Sequence, residues 1–298
     1  MSVTRLLGIA RNCRDLDAAC DFYRDACGFV DGEPAVPDKA LMRLLRPGVE
    51  PMPARRWLWR GRQPLLLIDA PPHARPAPHP FLGNDLAFQH IALVTDDICA
   101  DHTRWLQEGG RRISRNGPEQ LPPESGGVTA FKGYDPDGHP IELLSFPTDK
   151  GSPATRGGID HSAISVGNSA ASVAFYQDLL GLDCTGCQIN RGAEQDRLDG
   201  LADVQVEVIA LHPRDPPAPH VELLAYLEPP PKSPDAPSAP GDIAADHLLF
   251  LATELEPIVS RLDAGGHPTR ARVEVEGRLT GVATSDPDGH RSIILSVV

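Results

Sequence analysis

The sequence lacks the features of membrane, secreted and nucleic-acid-binding proteins. Its 298 residues contain no apolar run of the roughly 18 residues that a membrane-spanning helix needs. No apolar segment typical of a secretory signal peptide follows the first methionine. Lysine occurs only at positions 39, 132, 150 and 232, the net charge is −13, and no basic face for nucleic acid is visible. We therefore expect a cytoplasmic protein that binds neither membranes nor nucleic acid.

Cysteine is too sparse to build a structural metal site. Cys184 and Cys187 form a lone Cys-x-x-Cys pair, whereas a structural zinc site needs four ligands. Cys13, Cys20 and Cys27 recur every seven residues, and we interpret them as reduced thiols in the core. Hydrophobic residues make up 41% of the chain, enough for a globular core. At roughly 100–200 residues per domain, the length favours two domains.

Several motifs occur twice in the same order. Asp-Pro-Asp-Gly-His stands at residues 135–139 and again at 286–290. Phe-Tyr-x-Asp stands at residues 22–25 and again at 175–178, and a Gly-Gly pair at 109–110 matches another at 265–266. A common offset of about 150 residues indicates duplication rather than chance. The sequence therefore predicts two homologous modules, residues 1–148 and 159–298, joined by a linker at 149–158.

Each half divides again into two smaller units. Strand character is found at residues 6–10, 88–94, 159–166 and 247–252. Each segment leads into a stretch with helical spacing, and Asp96 or Asp97 and Ser169 are placed to cap two of these helices. Further short apolar runs follow each helix. We predict a unit of one strand, one helix and two or three more strands, repeated four times.

The motifs in this order are similar to those of one known family. Residues 15–29 and 135–144 resemble the motifs of the vicinal oxygen chelate superfamily, which includes glyoxalases, bleomycin resistance proteins and extradiol dioxygenases. The resemblance covers nearly the whole chain and implies an α+β fold of four βαβββ units. In that family two units pair into a cup-shaped mixed sheet with helices outside, and a divalent metal lies in the cup. We expect one such cup in each module.

The resemblance also implies where metal ligands lie, on the first and last strands of paired units. Inward positions on these strands can converge because strand side chains alternate between two faces. In the second half, the ligand positions hold His161, Glu222 and His247, with Ile293 at the fourth. Two histidines and one glutamate suit zinc, iron, nickel or manganese and leave positions open for substrate. We therefore predict one divalent metal, held in the second module.

The first half offers fewer ligands. Gly8 and the apolar run at residues 65–68 occupy two of the positions, which leaves His90 and Glu142. These two would form either a second, weaker metal site or a buried hydrogen-bonded pair. Three further polar residues are candidates for lining this cup and contacting a substrate, with a surface position as the alternative for each: Asn12, Gln120 and Lys132.

Three functions are compatible with these features. The first is a metal-dependent lyase or isomerase in which the metal, as a Lewis acid, chelates a small oxygenated organic substrate. The second is an extradiol-type dioxygenase, which the four-unit length favours, although the family's glutamate would stand where this chain has Ile293. The third is a non-catalytic protein that binds a drug or metabolite in the ligand-poor cup. No residue is assigned as the catalytic base.

Overall fold

The chain folds into two mixed β-sheets, of eight and nine strands, with helices packed on them. The computed structural model describes residues 2–147, 158–215, 219–267 and 269–296. All of the predicted linker except Gly158 lies outside these described residues. Among the helices so described, none is both long and apolar enough to cross a membrane.

The first half contains two units of the predicted kind. The first unit consists of β1 (Val3–Cys13), α1 (Leu16–Asp25), β2 (Val30–Asp31), α2 (Asp38–Leu45), β3 (Arg55–Arg60) and β4 (Gln63–Asp69). The second unit consists of β5 (Gln89–Val94), α3 (Ile98–Gln107), β6 (Arg111–Arg112), β7 (Glu119–Gln120), a 3₁₀ turn (Pro123–Ser125), β8 (Thr129–Tyr134) and β9 (Pro140–Ser145).

The second half repeats this organisation. The third unit consists of β10 (Ile159–Ser165), α4 (Ser169–Val173) continued by a π-helical segment (Ala174–Leu179), β11 (Asp183–Arg191), α5 (Ala193–Asp199), β12 (Gln205–His212) and β13 (His220–Glu228). The fourth consists of β14 (His247–Ala252), α6 (Glu256–Ala264), β15 (Ala271–Val275), β16 (Arg278–Ser285) and β17 (Arg291–Ser296).

Side-chain caps fix where the main helices begin. Asp97 precedes α3 and its carboxylate accepts from the amide of Ala100 at 3.0 Å, as expected for an N-cap. The cap of α4 is Asn168 and not the predicted Ser169. The Asn168 side chain, on extended backbone, accepts from the amide of Ala171 at 3.0 Å, which places Ser169 inside the first helical turn.

The sheets pair units across the two halves. In the eight-stranded sheet β1 lies antiparallel to β14, so the first unit pairs with the fourth. In the nine-stranded sheet β5 lies antiparallel to β10, so the second unit pairs with the third. Each unit adds its last strand parallel to its first: β4 to β1, β9 to β5, β13 to β10 and β17 to β14. The expectation of one cup within each module is therefore wrong, because each cup takes one unit from each half.

The repeated motifs join the two units within each half. The Asp135 carboxylate accepts from the phenol of Tyr23 at 2.8 Å, and the second copies, Asp286 and Tyr176, form the same contact at 3.3 Å. All four residues are buried. The duplicated sequence thus supplies buried polar contacts inside each half, whereas the sheets join one half to the other.

Candidate metal centre

Four side chains of the nine-stranded sheet converge on one face. On β10, Ala163 pairs with His90 of β5 on one side and with Glu222 of β13 on the other. On β5, Ala92 pairs with His161 of β10 on one side and with Glu142 of β9 on the other. Because side chains alternate along a strand and neighbouring residues in register share a face, all four project from the same side. Two come from the second unit and two from the third.

The atoms of these four side chains lie close together. Nε2 of His90 lies 3.1 Å from a carboxylate oxygen of Glu142 and 3.3 Å from Nε2 of His161. Nε2 of His161 lies 3.5 Å from an oxygen of Glu142 and 3.5 Å from an oxygen of Glu222. The Glu142 side chain is 8% exposed and that of Glu222 is 21% exposed, so Glu222 is the carboxylate more open to solvent.

Both carboxylates are held in the ionised form. Burial alone would raise the pKa of Glu142, but the charge of Lys132 and hydrogen bonds from two histidines lower it well below the usual range. Burial likewise opposes ionisation of Glu222, yet the charge of His161 and a hydrogen bond from His220 lower its pKa to about 2. The site therefore carries concentrated negative charge, as a cation site requires.

The two imidazoles differ in their protonation. Burial disfavours the charged form of His161, but Glu222, Asp160 and Glu142 outweigh it and raise its pKa well above the usual value. Burial lowers the pKa of His90 in spite of its contact with Glu142. The raised pKa favours the protonated form of His161, whose Nε2 lies 3.5 Å from an oxygen of each of Glu142 and Glu222.

A second layer of side chains orients the first. Nδ1 of His161 lies 3.0 Å from a carboxylate oxygen of Asp160, which directs Nε2 towards the cluster. Nε2 of His220 lies 3.3 Å from the other oxygen of Glu222. The His220 ring stacks on that of His212, with ring centroids 4.2 Å apart. Sequence reasoning missed Asp160 and His220, although both are polar residues at the start of strands that carry a predicted ligand.

The donor set fits a divalent cation. Ligand atoms that bind one ion at roughly 2.0–2.2 Å lie about 2.8–3.6 Å apart in octahedral or tetrahedral geometry. The distances of 3.1 to 3.5 Å among His90, Glu142 and His161 fall in this range, as does the distance of 3.5 Å from His161 to Glu222. Two imidazoles and two carboxylates are suitable ligands for zinc, iron, nickel or manganese. His90, Glu142 and His161, whose ligand atoms all lie within 4.8 Å of one another, would hold the ion, and Glu222 is a further candidate ligand.

The predicted triad of His161, Glu222 and His247 does not assemble. His247 is the first residue of β14, in the other sheet, because the third and fourth units do not pair. Burial lowers the pKa of His247 well below its usual value, and the charges of Arg291 and Arg46 lower it further. Two neighbouring guanidinium groups repel a metal cation, so His247 is removed from the candidate ligands.

The cup of the eight-stranded sheet is filled with apolar side chains. Leu41, Leu45 and their neighbours on α2 pack against Leu66 and Ile293. Leu66 and Ile293 lie at the register positions that correspond to Glu222 and Glu142 in the other sheet. This cup offers no carboxylate at either position and its interior is occupied by a helix of its own chain.

A cavity of about 150 Å³ is lined by the four candidate ligands and by Lys132. Nζ of Lys132 lies 2.7 Å from a carboxylate oxygen of Asp199 on α5. Asp199 also accepts hydrogen bonds from Tyr226 at 2.9 Å and Gln195 at 2.8 Å. Lys132 therefore lines the same cavity as His90 and Glu142. Nothing in the sequence pattern indicated Asp199 or Tyr226.

The other two predicted substrate contacts lie elsewhere. The Asn12 amide donates to the main-chain oxygens of Pro240 and Asp242, at 3.1 and 2.7 Å, beside the eight-stranded sheet. The Gln120 amide donates to the oxygen of Gly127 at 2.8 Å and is exposed. Neither residue lines the cavity of the candidate metal centre. Asn12 ties β1 to the segment that precedes β14, and Gln120 bonds within its own hairpin, so both amides are already hydrogen-bonded elsewhere.

Comparison with known proteins gives a family match and a shared fold. A family model described as Glyoxalase/Bleomycin resistance protein/Dioxygenase superfamily matches residues 5–143 and again residues 158–293. No curated protein matches this chain. Glyoxalase I from Zea mays superposes with a TM-score of 0.65 at 16% identity, over 98% of this chain and 92% of that one.

Two further solved structures share the fold. A point mutant of the Zea mays glyoxalase I superposes with a TM-score of 0.69 at 16% identity, over 99% of this chain and 94% of that one. A Bacillus subtilis protein provisionally described as a dioxygenase gives a TM-score of 0.61 at 10% identity, over 99% and 86%. At these identities the likeness establishes the architecture and leaves the reaction open.

Proposed function

This chain belongs to the Glyoxalase/Bleomycin resistance protein/Dioxygenase superfamily, and on that premise we propose that it is a metal-dependent lyase or isomerase acting on a small oxygenated substrate. The observation that supports this most is the cluster of His90, Glu142, His161 and Glu222, with neighbouring ligand atoms 3.1 to 3.5 Å apart in a cavity. The proposed metal site thus spans the two halves of the chain.

The bound metal would act as a Lewis acid that draws electron density from a substrate carbonyl. Glu222 is the proposed proton acceptor, because it lines the cavity and is the more exposed of the two carboxylates. Glu142 is more deeply buried and contacts both histidines, so its proposed role is to hold the ion.

Lys132 would orient the substrate. Its ammonium group is buried against Asp199 and lines the same cavity as Glu142. One contact to Asp199 leaves donor hydrogens of the ammonium group for a substrate oxygen. The volume of about 150 Å³ restricts the enclosed part of the substrate to a few heavy atoms.

Elemental analysis of the purified protein tests the metal proposal. We expect about one divalent ion per chain in the wild type and a loss of that ion in His90→Ala and in His161→Ala. The matched control is His247→Ala, a buried histidine at the corresponding position of the other sheet. It should retain the ion, provided that circular dichroism shows each variant to be folded.

The identity of the metal separates the reaction classes. Zinc, nickel or manganese would support the lyase or isomerase, and iron with oxygen uptake on catechols would favour the dioxygenase instead. A wild type that takes up none of these ions after reconstitution would refute the metal site. The binding of a ligand without turnover would then be the better interpretation of the fold.

A further inference from the structure

A second cavity, of about 540 Å³, lies between the two halves of the chain. Its walls come from residues 75–89 of the first half and from residues 232–246 and 288–291 of the second, together with Arg270. None of the four candidate metal ligands lines it. Phe81, Leu86 and several prolines and alanines contribute apolar wall, alongside polar and charged residues.

One buried guanidinium group in this cavity is incompletely bonded. Arg291, the first residue of β17, is 8% exposed. One of its terminal nitrogens donates to the main-chain oxygen of Ser238, whereas its Nε has no hydrogen-bond partner among the residues that the structure describes. A buried donor left unpaired costs free energy, so the protein alone does not satisfy this guanidinium group.

Positive charge is concentrated around Arg291. Burial lowers its pKa, and the charge of Arg270, which lines the same cavity, lowers it further. Burial and the charge of Arg291 also lower the pKa of Arg46, to about 10. In the described part of the chain, none of Arg46, Arg270 and Arg291 forms an ion pair with a carboxylate within 4.0 Å. Three guanidinium groups therefore influence one another without a carboxylate of their own.

The nearest carboxylate, Asp242, is already engaged. It accepts from the guanidinium of Arg75 at 2.6 and 2.9 Å and from the main-chain amides of Arg75 and Ala239. It attracts Arg46 and Arg291 only from a distance. One carboxylate that is bound by Arg75 cannot neutralise three further arginines.

Of the other acids that line the cavity, Asp85, Asp246 and Asp288 have partners other than Arg270 and Arg291. Asp246 forms a buried ion pair with Arg11, and Asp288 accepts from the amide of Gly167. Asp85 accepts from a main-chain amide and lies near Lys232, and Asp235 is exposed at the rim. A ligand with many negative charges would be repelled by these acids, whereas a single anionic group would be attracted by Arg270 and Arg291, which line the same cavity.

We propose that this cavity is a second ligand site, for a small organic molecule whose one carboxylate or phosphate group is bound by Arg270 and Arg291. The planar guanidinium pairs well with either oxyanion, and the apolar walls would contact the rest of the molecule. The volume is in the range of small-molecule pockets and exceeds what an inorganic anion fills. This site is separate from the proposed metal centre and does not depend on it.

Isothermal titration with benzoate and with inorganic phosphate, at constant ionic strength in chloride, tests the proposal. We expect saturable binding of at least one probe, weakened roughly tenfold or more in Arg291→Gln and in Arg270→Gln. The matched control is Arg272→Gln. Arg272 lies on β15, two residues after Arg270, and does not line the cavity, so this variant should bind the probes as the wild type does. Tighter benzoate would indicate a carboxylate ligand, and tighter phosphate a phosphorylated one.

Two further comparisons between variants make the test decisive. Arg270 is exposed, so Arg270→Gln remains informative if the buried Arg291→Gln fails to fold. His161→Ala should bind the probes normally, because the proposed site excludes the metal centre. The proposal is overturned if neither probe binds saturably, if Arg270→Gln binds as tightly as the wild type, or if His161→Ala abolishes binding.

Discussion

The guanidinium of Arg11 and the carboxylate of Asp246 lie 2.5 Å apart, with both side chains fully buried. Arg11 is on β1 of the first unit, and Asp246 immediately precedes β14 of the fourth. Arg11 also donates to the phenol of Tyr23, which in turn donates to Asp135. One buried network therefore connects the cross-half sheet to the contacts within the first half.

Removal of one partner from this pair should destabilise the protein. Arg11→Met leaves the Asp246 carboxylate buried without its counter-charge, and we expect a loss of about 3–5 kcal/mol in the free energy of unfolding. The double variant Arg11→Met with Asp246→Leu should recover most of that loss, because both charges are gone. Urea denaturation measures each value.

A partly exposed ion pair provides the control for this prediction. Arg14 and Asp137 approach to 3.8 Å, and the Arg14 side chain is 57% exposed. Arg14→Met should therefore cost less than about 1 kcal/mol. An equal cost for Arg11→Met and Arg14→Met would show that the buried pair has no special role in stability.

A histidine of the first Asp-Pro-Asp-Gly-His motif should make stability depend on pH. Burial lowers the pKa of His139, the charge of Arg11 lowers it further, and Asp246 and the Asn12 carbonyl offset this only in part, leaving it at about 3. The unfolded chain takes up this proton near pH 6.5. The contribution of neutral His139 is therefore complete above pH 6.5 and is lost as the pH falls from 6.5 towards 3.

Unfolding experiments at pH 7.5 and pH 5 measure this effect. The wild type should lose about 2 kcal/mol through His139 between these values, and His139→Gln should lack that part of the loss. His73→Gln, at an exposed histidine, serves as the control and should retain the wild-type pH dependence. Identical pH dependence in His139→Gln and the wild type would contradict the assignment.

Helix α2, which fills the cup of the eight-stranded sheet, should contribute to stability and not to metal binding. Leu41 on α2 is fully buried, and Leu41→Ala should lower the free energy of unfolding by about 2–5 kcal/mol through the cavity it creates. Lys39→Ala, on the exposed side of the same helix, should change it by less than about 0.5 kcal/mol. Metal content should be unchanged in both, and a loss of the ion in Leu41→Ala would link the two cups.

The sequence alone predicted the α+β class and the four units, because their motifs are local. The spacing of apolar residues predicted strands β1, β5, β10 and β14, and Asp97 was a recognisable helix cap. All four proposed ligands were named from the sequence, His161 and Glu222 with His247 in one site and His90 with Glu142 in a weaker second one. These predictions required only residues that are near one another in the chain.

Which units pair with each other through their first strands could not be predicted in this way. The four first strands are similarly apolar, and antiparallel pairing uses main-chain hydrogen bonds that are the same for every partner. The contact of His90 with His161, 71 residues apart, depends on that choice. The filling of the other cup by α2 was missed for the same reason, since it depends on which sheet faces the helix.

The exchange of units between the halves gives this single chain the architecture of a swapped dimer. Cleavage between the two repeats would leave two uncovered strand edges in each fragment. These are the edges of β1 and β5 in the first fragment and of β10 and β14 in the second. A fragment carrying residues 1–147 alone would have to fold its two units onto each other or recruit a second copy of itself. Co-expressed halves, by contrast, each hold the missing edge of the other, so this protein is suited to use as a split reporter whose centre forms only on reassembly.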